Sequence, residues 1–398
     1  MTARRLAVAA ALAVAVVVAG LGPAAAQVGR MGLIEATPGV TPPVVELYTF
    51  GRGALIFEKF GHTALCLDYQ EPERETACFN YGVTDFTIPG ATLTWRFIRG
   101  QQVFFVEAIP LRGMLRFYQR EDRTIWRQRL PLSPEEARAV EATLLGDLDP
   151  KRGSYIYDHF VDNCTTRLRD IIDQGSGGKL KVDSGRRFPQ TLREMGRRGL
   201  AELPPLIAFA DFALGRYLDH HPTIWEAMYH PFVLRDEVAA RFGVPADVVY
   251  QRRGPPIPDD GPTGRPWALL IGLLFVLPLA VARVTGRFER AAIAFAAVPA
   301  GLLGIVLWTV AIVSTIPTVR WNEALLLYLP LDLALPFLAP ARRQLYARIR
   351  LGMVIVVSLL RAVGLFLQPL WIPIVIAFAL HGLIAADVRG WLGRRAAR

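Results

Sequence analysis

Cysteine is scarce in this chain: three residues in 398, at Cys66, Cys78 and Cys164. So few thiols exclude a disulfide-dense scaffold. Internal repeats are absent, which removes solenoid and propeller architectures. Metal-ligand spacing is missing too. His220, His221 and His230 have no acidic or cysteine partners at ligand distances along the chain, so a solvated helix end is the expectation there, with no metal and no cofactor. Acidic residues are outnumbered, 35 against 45 Lys and Arg, for a net charge of +10. That excess does not point to nucleic acid, because eleven of the arginines fall in three short segments between or after apolar runs.

Apolar residues make up 52% of the chain and are clustered at the N-terminus and after Trp267. Residues 1–26 read as a signal peptide: Arg4 and Arg5, a long apolar run, then Ala24-Ala25-Ala26 before Gln27. An uncleaved anchor is the alternative, and either one exports the domain after it. Five membrane spans are expected at 267–283, 291–316, 323–340, 351–367 and 369–386, within a transmembrane domain at 267–386, each near the ~20 residues a bilayer requires. Arg283, Arg287 and Arg290 fill the first connection, and Arg342, Arg343, Arg348 and Arg350 the third. Arg389, Arg394, Arg395 and Arg398 lie in the tail at 387–398. The second connection has only Arg320 and the fourth has no charge, so positive-inside alternation places residues 28–266 outside and the C-terminus in the cytoplasm. Asp332 and Arg361 fall within the third and fourth spans, where isolated charges are costly, and a mutual structural clasp is expected.

The exported part enters through a proline-containing segment, 37–43, and its pattern is α+β. Strands are expected at 44–50, 62–68, 79–83 and 103–109, with helices at 112–121 and after Ser133. Ser133, Pro134 and Glu136 form a capping box with proline at the first helical position. The domain at 37–185 is thus an antiparallel sheet with a helix packed on it. A helical extension comes next at 186–250, either packed or resting on a bilayer surface, and then a proline-rich linker at 251–266.

Cys66 ends one strand and Cys78 begins the next, positions suited to a disulfide in an oxidising compartment, which leaves Cys164 as the free thiol. With Cys66 opposite Cys78, the register sets Ala64 against Asn80 and His62 against Gly82, all on one face. Asn80 becomes a diagonal neighbour of His62. Asn163-Cys164-Thr165-Thr166 opens a helix, and a helix N-terminus favours the thiolate. Cys164 as nucleophile, His62 as base and Asn80 as orienting group form a coherent thiol-enzyme set. Their opposing reading is an edge-strand histidine and a small buried hydrophobe. His159 is the competing base. Arg167, one turn beyond Cys164, either favours the thiolate, holds an anionic head group or makes a surface salt bridge. Tyr155, Tyr157 and Asp158 either line the pocket or pack.

Gly61-His62-Thr63-Ala64-Leu65, then Phe79-Asn80-Tyr81-Gly82 with Asp85-Phe86, then the run from Tyr157 to Asp170 around Asn163-Cys164-x-Thr166-Arg167, resemble the Lnb-type lipoprotein N-acyltransferases. The resemblance extends over nearly the whole mature chain. It implies a periplasmic domain similar to circularly permuted papain-like thiol enzymes, on an inner-membrane anchor. It also implies catalytic roles for His62 and Cys164, with no metal and no cofactor. The implied partners are a phospholipid acyl donor and a diacylglyceryl lipoprotein whose N-terminal amine accepts the chain. A phospholipase, a thioesterase or a cell-envelope cysteine peptidase would use the same cysteine and histidine.

Overall fold

The computed structural model describes residues 31–55, 58–85, 87–258 and 264–388. The signal-peptide reading of 1–26, Phe86 and the arginines from 389 onward lie outside the described residues. The chain separates into two compact units. One runs up to Gly199 and resumes over His221–Pro258; the other contains Leu200–His220 and everything after the linker. The stretch 186–250 is therefore divided between them.

The first unit is α+β. Its strands are β1 (Val44–Phe50), β2 (His62–Asp68), β3 (Ala77–Val83), β4 (Val103–Pro110), β5 (Ile125–Arg129), β6 (Tyr155–Ile156) and β7 (Asp247–Tyr250). They form one seven-stranded sheet in the order β6-β4-β3-β2-β1-β5-β7, with every neighbouring pair antiparallel. The labelled helices are α1 (Gly90–Ile98), α2 (Leu111–Arg120), α3 (Pro134–Gly146) and α4 (Cys164–Gly175).

Alternation along the central strands builds two cores. Val45, Leu47, Leu65, Leu67 and Phe79 face α3 and α4, where Val140, Leu144, Leu168 and Ile172 cover them. Tyr48, Phe50, Ala64, Cys66 and Cys78 face the other way, under Met114, Phe117 and Tyr118 of α2. Both faces of β1 and β2 are thus occupied, and each fully buried Leu or Phe contributes about 1.5–3 kcal/mol. Cys66 and Cys78 pair directly across β2 and β3 and are disulfide-bonded. Ser133 and Glu136 make the reciprocal capping box that starts α3.

In the second unit the long helices are α5 (Arg265–Thr285), α6 (Glu289–Val313), α7 (Pro340–Ala362) and α8 (Trp371–Ala385). Among the described residues, α5 and α6 are long and apolar enough to cross a membrane. The apolar helix Pro204–Ala213 belongs to this unit as well.

The stretch 323–340 differs from the continuous span expected of it. It forms two short 3-10 helices, Glu323–Leu326 and Pro330–Ala334. Pro330 and Pro336 lack the N–H a continuous helix would use, and this backbone lies tight against α6. A Cβ on Gly304 would stand 2.8 Å from the Tyr328 carbonyl oxygen, and one on Gly301 would stand 2.7 Å from Leu333 Cγ. The arginines expected in the connection before 351 are instead helical, because α7 begins at Pro340.

The partner expected for Asp332 is also corrected. Arg350 binds it twice, Nε to Oδ1 at 3.0 Å and Nη2 to Oδ2 at 3.1 Å, and the Tyr346 hydroxyl adds a bond of 2.8 Å. Arg361 instead donates to the Phe366 carbonyl. The two arginines are eleven residues apart on α7, which is almost three whole turns, so they share a face about 16 Å apart.

Candidate active site

Cys164 is the first residue of α4, and Asn163 is its N-cap. The Asn163 Oδ1 accepts from the amides of Thr165 and Thr166 at 2.8 and 2.9 Å, while Thr166 Oγ1 accepts from the Asn163 amide at 2.8 Å. Asn163 Nδ2 also donates to the carbonyls of His159 and Tyr229, at 2.7 and 3.1 Å. The cap therefore fixes both the helix start and the loop that delivers it. It has a chemical consequence: the Thr165 and Thr166 amides are taken, while the Cys164 N–H has no backbone acceptor among the described residues.

His62 opens β2 opposite Phe50 of β1. The β2–β3 ladder runs from Leu67↔Ala77 through Cys66↔Cys78 to Leu65↔Phe79, and His62 and Asn80 stand just past its end. Asn80 Oδ1 bonds His62 Nε2, so Nε2 carries the proton and Nδ1 is left to serve the thiol. His62 and Cys164 lie close enough to shift each other's pKa, and the Thr63 amide beside the sulfur also favours the thiolate. Thr165 Oγ1 lies 3.8 Å from Sγ and takes a 3.2 Å bond from Thr63 Oγ1, joining β2 to α4 a second time.

Two glycines permit this placement. Gly61 has φ +85°, and a Cβ there would stand 2.7 Å from the Phe50 carbonyl oxygen. Gly82 has φ +99° at a bulge in β3, beside Cys164 Cβ.

The electrostatics favour an ion pair. Burial pushes the Cys164 thiol up, but the His62 charge and the hydrogen bonds from His62, Thr165 and the Thr63 amide outweigh it, so its pKa lies below the usual 9.0. For His62, burial pulls down, while the Cys164 thiolate and the bonds to Cys164 and Asn80 lift it above 6.5. Opposite shifts in two neighbouring groups mean that each favours the charged form of the other.

The structure brings His62 and Asn80 to Cys164 and keeps His159 out of that role. His159 is half-buried against Phe60, with its Nδ1 on the Tyr157 hydroxyl at 3.2 Å. Burial drops its pKa to about 4, leaving it neutral. Arg167 is engaged by Asp162 through two bonds of 2.6 Å and lies over the Tyr155 ring at 4.5 Å. Asp158 receives the amides of Phe160 and Val161 and staples the loop before Cys164. Tyr157 packs on Phe104, at 4.6 Å between ring centres, and Tyr155 lies beside the same ring at 6.2 Å.

His230 is a buried N-cap, not a solvated end, and its Nδ1 accepts from the Phe232 amide. Sequence reasoning missed Thr63 and Tyr118. Thr63 adjoins the histidine and was legible only once β2 and α4 were known to touch; Tyr118 stacks near His62 at 6.3 Å from a different helix.

Residues 43–198 match the family model described as the Lnb N-terminal periplasmic domain. No curated protein and no solved structure matches the chain. The matched segment contains His62, Asn80 and Cys164, and in the other unit two helices are long and apolar enough to cross a membrane. These features fit a membrane protein with a periplasmic domain, and the matched segment supports likeness to Lnb-type lipoprotein N-acyltransferases over residues 43–198.

Proposed function

We propose that this protein moves an acyl chain from a phospholipid to the N-terminal amine of diacylated lipoproteins through a Cys164 thioester. The observation that carries the reading is the grouping of Cys164 with His62, itself hydrogen-bonded to Asn80, within the matched domain. The Cys164 thiolate attacks the phospholipid ester carbonyl. The Cys164 N–H is available to the developing oxyanion. The tetrahedral species collapses with loss of the lysophospholipid alkoxide, which takes the proton from His62. The lipoprotein amine then attacks the thioester carbonyl, His62 removes its proton, and the amide forms as the thiolate leaves. Asn80 holds the imidazole in the tautomer both half-reactions use.

The order of parts, histidine strand before cysteine helix, supports a circularly permuted papain-like arrangement. The second unit serves as an inner-membrane anchor with the catalytic domain in the periplasm and the C-terminus in the cytoplasm. The five-span scheme then gives the third crossing to the 3-10 backbone at 323–340, which protein packing shields from lipid. Membrane anchoring raises the effective concentration of both lipidated substrates.

Full-length protein incubated with phospholipid and a synthetic diacylated lipopeptide tests this. The peptide should gain the mass of one acyl chain, and Cys164→Ser should give none. Release of free fatty acid with an unchanged peptide would instead establish a lipase.

A further inference from the structure

Part of the exposed apolar surface of the first unit lies on elements next to the loop and sheet edge that lead to Cys164. Nine large apolar side chains of this unit are exposed among the described residues, and four of them, Trp95, Phe97, Ile156 and Val161, lie on segments that frame Cys164. Trp95 and Phe97 are on α1, Ile156 is on the sheet-edge strand β6, and Val161 is three residues before the cysteine. Phe97 links the patch inward: its ring lies 5.7 Å from Tyr157, which packs on Phe104 in the wall beside the site.

Helix α1 is the unusual element. It is nine residues long, and none of them is buried. A short isolated helix is marginal in water, and packing of an apolar face normally stabilises it. Here Leu93 and Phe97 share one side, near Tyr157, while Ala91, Trp95 and Ile98 share another. Ala91 and Trp95 are exposed there, with Arg96 exposed beside them. Tryptophan with phenylalanine and a neighbouring arginine is the composition that settles at a lipid headgroup boundary.

We infer that α1, β6 and the loop before Cys164 form a bilayer-docking surface, with Trp95, Phe97, Ile156 and Val161 entering the headgroup–acyl boundary and Arg96 meeting anionic lipid. The occupant is a lipid surface because the same chain carries the two long apolar helices, and because the exposed basic residue of α1 complements anionic headgroups. Docking there sets the mouth of the thiol site against the ester region of the donor lipid. The inference rests on the membrane-tethered reading of the chain; its quenching test is independent of the acyl-transfer reading, while the kinetic arm rests on it.

The test uses the full chain carrying Cys164→Ser, in which the Cys66–Cys78 disulfide leaves one introduced cysteine as the sole free thiol. An environment-sensitive fluorophore is attached at Trp95→Cys, Ile156→Cys or Val161→Cys, or at the comparison sites Val182→Cys and Val248→Cys, which are also exposed. The proteins are reconstituted in phosphatidylethanolamine–phosphatidylglycerol vesicles containing lipid with a quencher high on its acyl chain. Flotation with the vesicles reports the tether on its own. Quenching several-fold stronger at 95, 156 and 161 than at 182 and 248 is expected. Equal quenching at all five sites overturns the inference. So does a spectral shift at the three sites that needs protein concentration but not quencher, which would assign the patch to a second copy of the chain. As a functional arm, Trp95→Ser with Ile156→Ser should raise KM for vesicle phospholipid about tenfold and leave the rate of Cys164 alkylation unchanged; an unchanged KM counts against the docking role.

Discussion

Both units bury charge, and they do it to opposite ends. In the second unit Asp332 and Arg350 are each 1% exposed, closed in by Tyr346 and the carbonyls of Leu326 and Leu327. His381 stands 3.9 Å from Asp332, equally sealed. The first unit has a sealed ion pair of its own, Arg123 with Glu58, but its other interacting titratable pair, Cys164 and His62, is only half-buried, at a strand end where the β2–β3 ladder stops. The sealed pair has its hydrogen bonds answered by protein. The half-open pair leaves a thiol partly exposed beside a histidine, the arrangement the proposed nucleophile needs. Buried charge marks a reaction site only where one partner is reactive and reachable; otherwise it fixes packing.

That contrast can be broken by substitution. The largest effect belongs to Cys164→Ser, which should lower acyl transfer by about 10³-fold or more without changing protein level, measured on detergent-solubilised enzyme with lipopeptide. Asp332→Ala should act in the opposite manner. It strands the Arg350 guanidinium and costs about 3–5 kcal/mol, seen as loss of folded protein in a thermal-shift or detergent-stability assay. Arg361→Ala on the same face of α7 should cost under about 1 kcal/mol, because Arg361 bonds a carbonyl and has no acidic partner among the described residues. Equal losses for Asp332→Ala and Arg361→Ala would contradict the assigned pairing.

Asn80→Ala should cost about 10²-fold in kcat through loss of imidazole orientation. It should also move the pH profile. Iodoacetamide reactivity of Cys164 should rise through a pKa below 9.0 and reflect the ion pair until His62 loses its proton above 6.5. The Asn80 bond helps hold the His62 pKa up, so its removal lowers that alkaline limit and narrows the window. A profile that stays in place in Asn80→Ala would remove the orienting role. The smallest effect is expected from Arg167→Ala. Its half-exposed salt bridge with Asp162 is worth under about 1 kcal/mol, and the alkylation profile should not shift.

The site was more legible in the amino-acid sequence than the edges of the fold. One disulfide expectation fixed the β2–β3 register, and that register alone predicted the approach of Asn80 to His62. The helix start at Cys164 was visible in the Asn-Cys-Thr-Thr run. The Asn163 cap's use of the Thr165 and Thr166 amides was not, because a capping side chain competes with a substrate for donors that sequence shows only as present. Strands β5 and β7 were missed: they are five and four residues long, and β5 carries Arg127 and Arg129, so neither shows a strong alternating pattern. In the second unit hydropathy located the apolar segments but not their backbone form at 323–340. It chose Arg361 for its mid-span position and left Arg350 in a connection, because hydropathy does not show that α7 begins at Pro340 and takes Arg350 into the packed interior.

The most direct measurement is the intact mass of full-length protein after brief exposure to phospholipid, with no acceptor present. The account predicts a hydroxylamine-labile gain of one acyl chain, absent from Cys164→Ser and cleared by a diacylated lipopeptide that becomes heavier by the same amount. A protein of unchanged mass, with neither lipid cleavage nor peptide acylation, would contradict the thioester mechanism and leave Cys164 and His62 in need of another substrate.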